Sequence, residues 1–496
     1  MKKSLRFKVL LAAVMIGLTY TFSACSGETQ GNENTSPVAT DAPETKTAAA
    51  ETEPALSVET IIEHRDFNGA DFNILGRSDG THASLHAYEL VAEELNGEVI
   101  NDAVYLRNGK IEDYLNVKIT AELADRAQQT SKLQGSVSAG DSAYDLAWCF
   151  LSNMTSMALG GYLTDMNAIP GMNPDADWWN KTITENMTIA GRLLLASNDI
   201  PFSTMLFTHC MFMNKSLAPS YGLDDIYDTV REGGWTLDAL ISATADGCRD
   251  LDGDGSFGDK DFYGFLSSYG AIGIFSTSGG QSVLSVSDDG AVTLEIFSDR
   301  MQSIVEKTYK LAFDNNSSYI VDNSLEPTIA KMFAAGSSLF YSGFFSDPLL
   351  YFRDMDDDFA LIPFPKYDES QERYYTSISG GNGLLGVPKT IANPEMTGLV
   401  TEALALESYL SVRPAVLETV MVGKLLRDTA SEEMFNLIQS GVRADFGFLY
   451  TTNGLGRVLR DLMQQKSTDL ASYYASREAN AQKYYEEVVA AYMGGE

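Results

Sequence analysis

Cysteine is scarce in this chain. Four occur in 496 residues, and beyond Cys25 only Cys149, Cys210 and Cys248 remain. They form no CxxC pair and match no zinc-ligand spacing, so no zinc ribbon or disulfide framework is encoded. At most one disulfide can form, and buried free thiols are the simpler expectation. Histidine is equally sparse, with four residues. His82 and His86 stand four apart, with Glu89 and Glu93 beyond them, but no flanking pattern supports zinc, and two surface histidines are expected. There is no GxSxG elbow, no HExxH helix and no Walker A loop, which removes the commonest hydrolase, metalloprotease and NTPase signatures. Positive charge is short as well: 35 Lys and Arg stand against 68 Asp and Glu, a formal net charge of −33. That balance argues against nucleic-acid binding, which needs basic patches. After the N-terminus no run of 18 apolar residues occurs, so nothing else reads as a membrane span.

The N-terminus itself is different in kind. Lys2, Lys3, Arg6 and Lys8 precede an apolar core, Val9 to Leu18, too short for an ordinary spanning helix. Phe22-Ser23-Ala24-Cys25 then resembles the bacterial lipoprotein signal, in which the cysteine is lipidated and becomes the new N-terminus, although Phe22 stands where leucine is usual. An ordinary cleaved signal that contains a cysteine is the alternative. Residues 1–24 are thus expected to be removed and Cys25 to carry lipid. Residues 25–65, rich in Thr, Glu, Ala, Pro and Ser, are too poor in apolar surface to offset ordering entropy and are expected to form a tether. The chain is expected at the extracytoplasmic face of the cell membrane, held by the acyl chain, because so acidic a surface repels anionic headgroups.

The remaining body is too long for one compact core and calls for two or three lobes. Asp71–Gly76 reads as a strand, Asn101–Asn116 as a helix with Asn101 as a cap, and Val117–Leu123 and Tyr144–Trp148 as further strands. This alternation predicts an α/β lobe with a largely parallel sheet. A second α/β series starts near Thr204. It includes a helix from Trp235, another from about Arg300 to Phe313 and a strand from Phe359 to Pro365. The last 60 residues read as helical.

The order of segments resembles the extracellular solute-binding proteins, family 1, of ABC importers for sugars. Residues 96–108 (NGEVINDAVYLRN) resemble the family's first helix and its lead-in, and Tyr144-Asp145-Leu146 the strand before the cleft. Gly234-Trp235-Thr236 resembles the Gly-x-Trp-Thr helix start, and Phe333–Phe340 the F-x-x-G-x-x-x-F strand entry. Ala360–Pro365 and Gly386–Thr390 resemble the strand ending in a proline pair and the return into the first lobe. The resemblance spans residues 66 to about 450. It implies a two-lobe, type II periplasmic-binding-protein-like α/β fold, with mixed sheets flanked by helices and a hinge between lobes. Residues 66–203 and 380–425 would form lobe I, and 204–379 and 426–496 lobe II. It also implies a monomer that captures a carbohydrate, delivers it to ABC permease subunits and does no catalysis. The alternative is a cell-surface carbohydrate-active enzyme or polysaccharide-binding adhesin. Paired carboxylates for glycoside hydrolysis remain open among so many acidic residues.

Sugars need flat aromatic faces for their C–H surfaces and polar groups for their hydroxyl rim. Trp148, at a strand end, and Asn153 nearby are candidates on the first lobe. Trp178 and Trp179 lie in a Pro- and Asp-rich loop, where exposed neighbouring indoles would signal a ligand. Core packing accounts for any single tryptophan equally well, and Trp235 reads as a packing residue. Phe344 and Phe345 fall where the resemblance puts second-lobe cleft residues. Asn382 sits in a Gly-rich segment expected to act as the hinge.

One motif points elsewhere. From Asp250 the spacing of Asp250, Asp252, Asp254, Ser256 (through its backbone) and Asp261 follows a calcium loop, with Gly255 for the sharp turn. No cofactor is required by any other feature. Some members of the resembled family hold a structural calcium in such a loop, so a stabilising calcium is expected, with a plain Asp-Gly turn as the alternative.

Overall fold

The computed structural model describes residues 56–79, 83–223, 225–420, 429–451 and 454–494. The signal segment, Cys25, nearly all of the tether and His82 lie outside the described residues.

Ten strands build two mixed sheets. The first sheet uses β1 (Ala70–Arg77), β2 (Val117–Ala124), β3 (Leu146–Phe150), the short β4 (Leu163–Thr164) and a late strand, here numbered β10 (Gly383–Pro388). Its order is β2-β1-β3-β10-β4, with β1 parallel to β2 and β3, and β10 antiparallel to β3 and β4. The second sheet uses β5 (His209–Asn214), β6 (Tyr263–Ser268), β7 (Ser318–Val321), β8 (Ser338–Phe344) and β9 (Phe359–Ile362). Its order is β7-β6-β8-β5-β9, parallel through β7, β6 and β8 and antiparallel at β5.

Helices cover the sheets. The helix Val99–Leu115 starts two residues before the sequence reading placed it. Asp102, rather than Asn101, accepts the backbone N–H of Asn96 (2.9 Å) and of Gly97, holding the lead-in turn. Thr236 caps the helix Leu237–Thr244 through the N–H of Ala239. Trp235 just before it is core, stacked on Phe340 at 5.3 Å with its indole N–H donated to the Pro363 carbonyl. The central strands β3, β5, β6 and β10 are buried on both faces, as strands covered by helices must be.

Two segments run between the sheets. Residues 203–208 lead into β5, residues 376–382 lead into β10, and they meet in an antiparallel bridge between Thr208 and Ile378. Ser379 N–H also donates to the Phe207 carbonyl at 3.1 Å. The parallel strands of both sheets therefore point their carboxyl ends at the region flanking this crossing.

Candidate functional site

A cleft opens at those strand ends. One cavity of about 410 Å³ and an adjoining one of about 280 Å³ share Asn323, Glu326, Phe344, Ser379 and Gly381 as walls. Together they lie within the range of small-ligand sites. Arg77 is the last residue of β1, Phe150 the last of β3 and Phe344 the last of β8, so three strand ends deliver the lining. Open α/β sheets place ligands at this position.

On the first-sheet wall the guanidinium of Arg77 lies 3.6 Å from the Phe150 ring centroid, and that of Arg126 lies 5.1 Å from the same ring. Arg77 donates to the Gly381 carbonyl at 2.8 Å, which ties this wall to the crossing segment. On the opposite wall Phe344 packs on His209 at 4.4 Å and edge-on to Phe207. Burial lowers His209 to about 3, so its imidazole is neutral. Asp347 is buried, accepts Tyr341 O–H at 2.7 Å and Phe344 N–H at 2.9 Å, and burial pushes its carboxyl up to about 7.

Of the expected ligand residues, Phe344 alone lines this cleft. Half-buried, it presents ring surface to both cavities. Its neighbour Phe345 points the other way, 1 % exposed and packed on Phe435. Trp148 is likewise fully buried, under the wall rather than in it. Asn153 follows Leu151 and Ser152, which line the second cavity, but its amide is donated to the Arg126 carbonyl (2.8 Å) and Thr130 (3.0 Å), so it secures Arg126. Asn382 is buried too. It donates to the Thr204 carbonyl at 3.3 Å and its own carbonyl receives Leu151 N–H at 2.9 Å, pinning the crossing segment.

The exposure expected of Trp178 and Trp179 is corrected: they are 7 % and 3 % exposed. Both indole N–H groups donate to one buried carboxylate, Glu402, which explains why two adjacent tryptophans in a polar loop are core. His86 is corrected as well. It is buried and paired with Glu89 at 2.5 Å rather than lying on the surface. All three described cysteines are free, Cys149 and Cys210 buried and Cys248 half-buried.

The residues that sequence reasoning missed are Arg77, Arg126, Phe150, Glu326, Asp347 and Tyr351. A signal existed for two of them, since Arg77 and Phe150 close apolar strands whose carboxyl ends face a cleft.

Away from the cleft, the aspartate loop gathers three of its carboxylates. Carboxylate oxygens of Asp250, Asp252 and Asp254 lie within 4.8 Å of one another, all exposed. Gly253 and Gly255 both take positive φ there. Asp250 accepts the N–H of Gly253 and Gly255, Asp252 that of Asp254, and Asp254 that of Ser256 at 2.7 Å. The all-oxygen donor set fits a hard cation. Asp261 does not join the trio. Buried, it receives Leu251 N–H at 2.9 Å and Gly258 N–H at 2.7 Å, and these bonds hold its carboxyl below the usual range. It closes the loop instead of extending the cluster.

Among the described residues no helix is long and apolar enough to cross a membrane. Residues 106–405 match the family model described as bacterial extracellular solute-binding protein. Comparison with curated protein sequences finds no match. A cyclo/maltodextrin-binding protein complexed with maltotetraose superimposes with a TM-score of 0.53 at 13% identity, over 86% of this chain and 97% of that one. UspC of M. tuberculosis gives 0.52 at 16%, over 84% and 100%. The GacH receptor of Streptomyces glaucescens, solved unliganded and with acarbose, gives 0.51 at 12%, over 85% and 98%. At these identities the likeness is one of fold: the α/β, two-lobe, type II arrangement of mixed sheets flanked by helices.

Proposed function

The chain belongs to the bacterial extracellular solute-binding protein family, and on that premise we propose that it captures a carbohydrate between its lobes for an ABC importer. The observation that carries this reading is the cleft where both sheets' strand ends converge, with Phe344 and the half-buried Tyr351 offering ring surface beside arginine and hydroxyl donors. Maltotetraose in one fold neighbour and acarbose in another support carbohydrate as the ligand class. In this reading lobe I is 66–203 with 380–425 and lobe II is 204–379 with 426–496. Lipid on Cys25 anchors the protein at the outer face of the cell membrane, and permease subunits are the partners. Calcium in the 250–254 trio is a structural element of the second lobe, far from ligand chemistry.

A second reading, glycoside hydrolysis, draws on Glu326 and Asp347, two carboxyls on one cavity. It is the weaker one, because Asp347 is sealed under Tyr341 and Phe344 rather than facing a sugar. Calorimetric titration with neutral and acidic oligosaccharides, followed by chromatography of the recovered sugar, tests both. Saturable binding with the sugar returned intact is expected; cleaved sugar would overturn the importer reading.

A further inference from the structure

The charge balance of the whole chain reverses in the cleft. Arg77, Arg126, Arg457 and Arg460 line it against Asp79, Glu326 and Asp347, in a chain with nearly two acids per base. None of the four guanidinium groups has a carboxylate oxygen within 4.0 Å among the described residues. The acids are themselves engaged as acceptors, and the buried Glu89, together with Asp79, also acts on Arg77 through its charge, as Glu326 does on Arg460. Asp347 is spent on Tyr341 and Phe344, Glu326 accepts the Ser268 hydroxyl at 2.7 Å, and Asp79 accepts the backbone N–H of Arg126 at 3.0 Å. Burial further biases Glu326 and Asp347 toward their neutral forms.

Arg77 is the sharpest feature. It is 3 % exposed, yet its Nε–H is buried with no partner, while Nη1 donates to the Gly381 carbonyl. A buried donor left unpaired carries a desolvation penalty that an incoming acceptor relieves. Arg126 adds a second positive charge at the same ring, held by a bond from Nη2 to the Ser152 hydroxyl at 2.9 Å. It is also the first residue of the helix Arg126–Ala139, whose leading N–H is already held by the Asp79 carboxylate, so the guanidinium rather than the helix end is what remains for a ligand. A guanidinium fork matches a planar carboxylate in two parallel hydrogen bonds, which hydroxyls alone do not reproduce.

We propose that the cleft is built for an acidic carbohydrate, whose carboxylate docks on Arg77 and Arg126 beside Phe150 while its ring meets Phe344. This rests on the carbohydrate reading above. The purified protein is titrated calorimetrically with di- to tetramers of galacturonate, glucuronate and mannuronate, with the methyl ester of each, and with neutral malto- and galacto-oligosaccharides. At least one uronate oligomer is expected to bind tenfold or more tightly than its own ester, and less tightly as salt is raised. Arg126→Gln, at an exposed position, is expected to remove that preference at unchanged melting temperature. Equal binding of acid and ester, binding of neutral sugars only, or a preference that survives Arg126→Gln would overturn the assignment while leaving the carbohydrate reading intact. Binding of no sugar at all would overturn that reading too.

Discussion

Glu402 shows how one side chain decides what its neighbours are for. It lies in the helix Pro394–Glu407, nearly inaccessible, and accepts N–H groups from Trp178, Trp179 and the Asn173 backbone. Two indoles that sequence alone offered as a sugar platform are thereby turned inward, and nothing in the local DWWN pattern reveals a partner more than 220 residues away. Phe344 was legible through the resemblance, which puts second-lobe cleft residues there; Arg77 ends β1 and was passed over because one arginine among many carries no mark. Burial pushes the Glu402 carboxyl up to about 7. Its folded value exceeds the unfolded one of about 4.3, so its stabilising contribution is complete below that pH and is lost as pH rises through about 7. Asp347 acts in the same sense. Glu402→Gln is expected to flatten the fall in melting temperature between pH 5 and pH 8, read by calorimetry. Glu402→Ala is expected to cost about 1–3 kcal/mol for each indole donor it strands; an unchanged melting temperature would contradict the role assigned here.

At the scale of elements, local pattern was a good guide and long-range pairing was not. The apolar stretches that became β1, β2, β3 and β9 were readable from composition and period, within a residue or three of their ends. What no local pattern contains is that β10 enters the first sheet between β3 and β4, some 220 residues after them. Gly383 records that insertion: a Cβ there would lie 2.6 Å from the Trp148 ring and 2.9 Å from the Cys149 carbonyl, so only glycine lets the strand lie against β3. The aspartate loop is the reverse case, since its turn is written in Gly253 and Gly255. Its carboxylates repel one another when no cation is bound, and a calcium present at a hundred times its Kd adds about 2.7 kcal/mol. Chelation is therefore expected to lower the melting temperature, and readdition of calcium to restore it, with sugar affinity largely unchanged. A collapse of affinity at constant fold would place the loop in the ligand site instead.

For the molecule as a whole, the two sheets are joined where Thr208 meets Ile378, and Gly380 and Gly381 lie between that bridge and β10. A Cβ added at Gly380 meets nothing within 4 Å, and one at Gly381 meets only the Ser379 hydroxyl at 3.6 Å. Neither residue takes positive φ. These glycines are therefore not demanded by packing or by a left-handed turn, unlike Gly383 next to them. What they supply is backbone freedom beside two ties between the first wall and the crossing segment, Arg77 to the Gly381 carbonyl and Leu151 N–H to the Asn382 carbonyl. A ligand that contacts both Arg77 and Phe344 favours whichever arrangement brings the walls together, and the shift it causes is limited by its differential affinity for that arrangement. The double variant Gly380→Ala, Gly381→Ala separates freedom from packing. It is expected to keep or slightly raise stability, by about 0.4–1 kcal/mol per site, through a less flexible unfolded chain. It is also expected to slow ligand association and to reduce the ligand-induced decrease in radius of gyration seen by small-angle scattering. If stability holds and both the association rate and the compaction match the parent protein, bending occurs elsewhere and these two glycines are not its pivot.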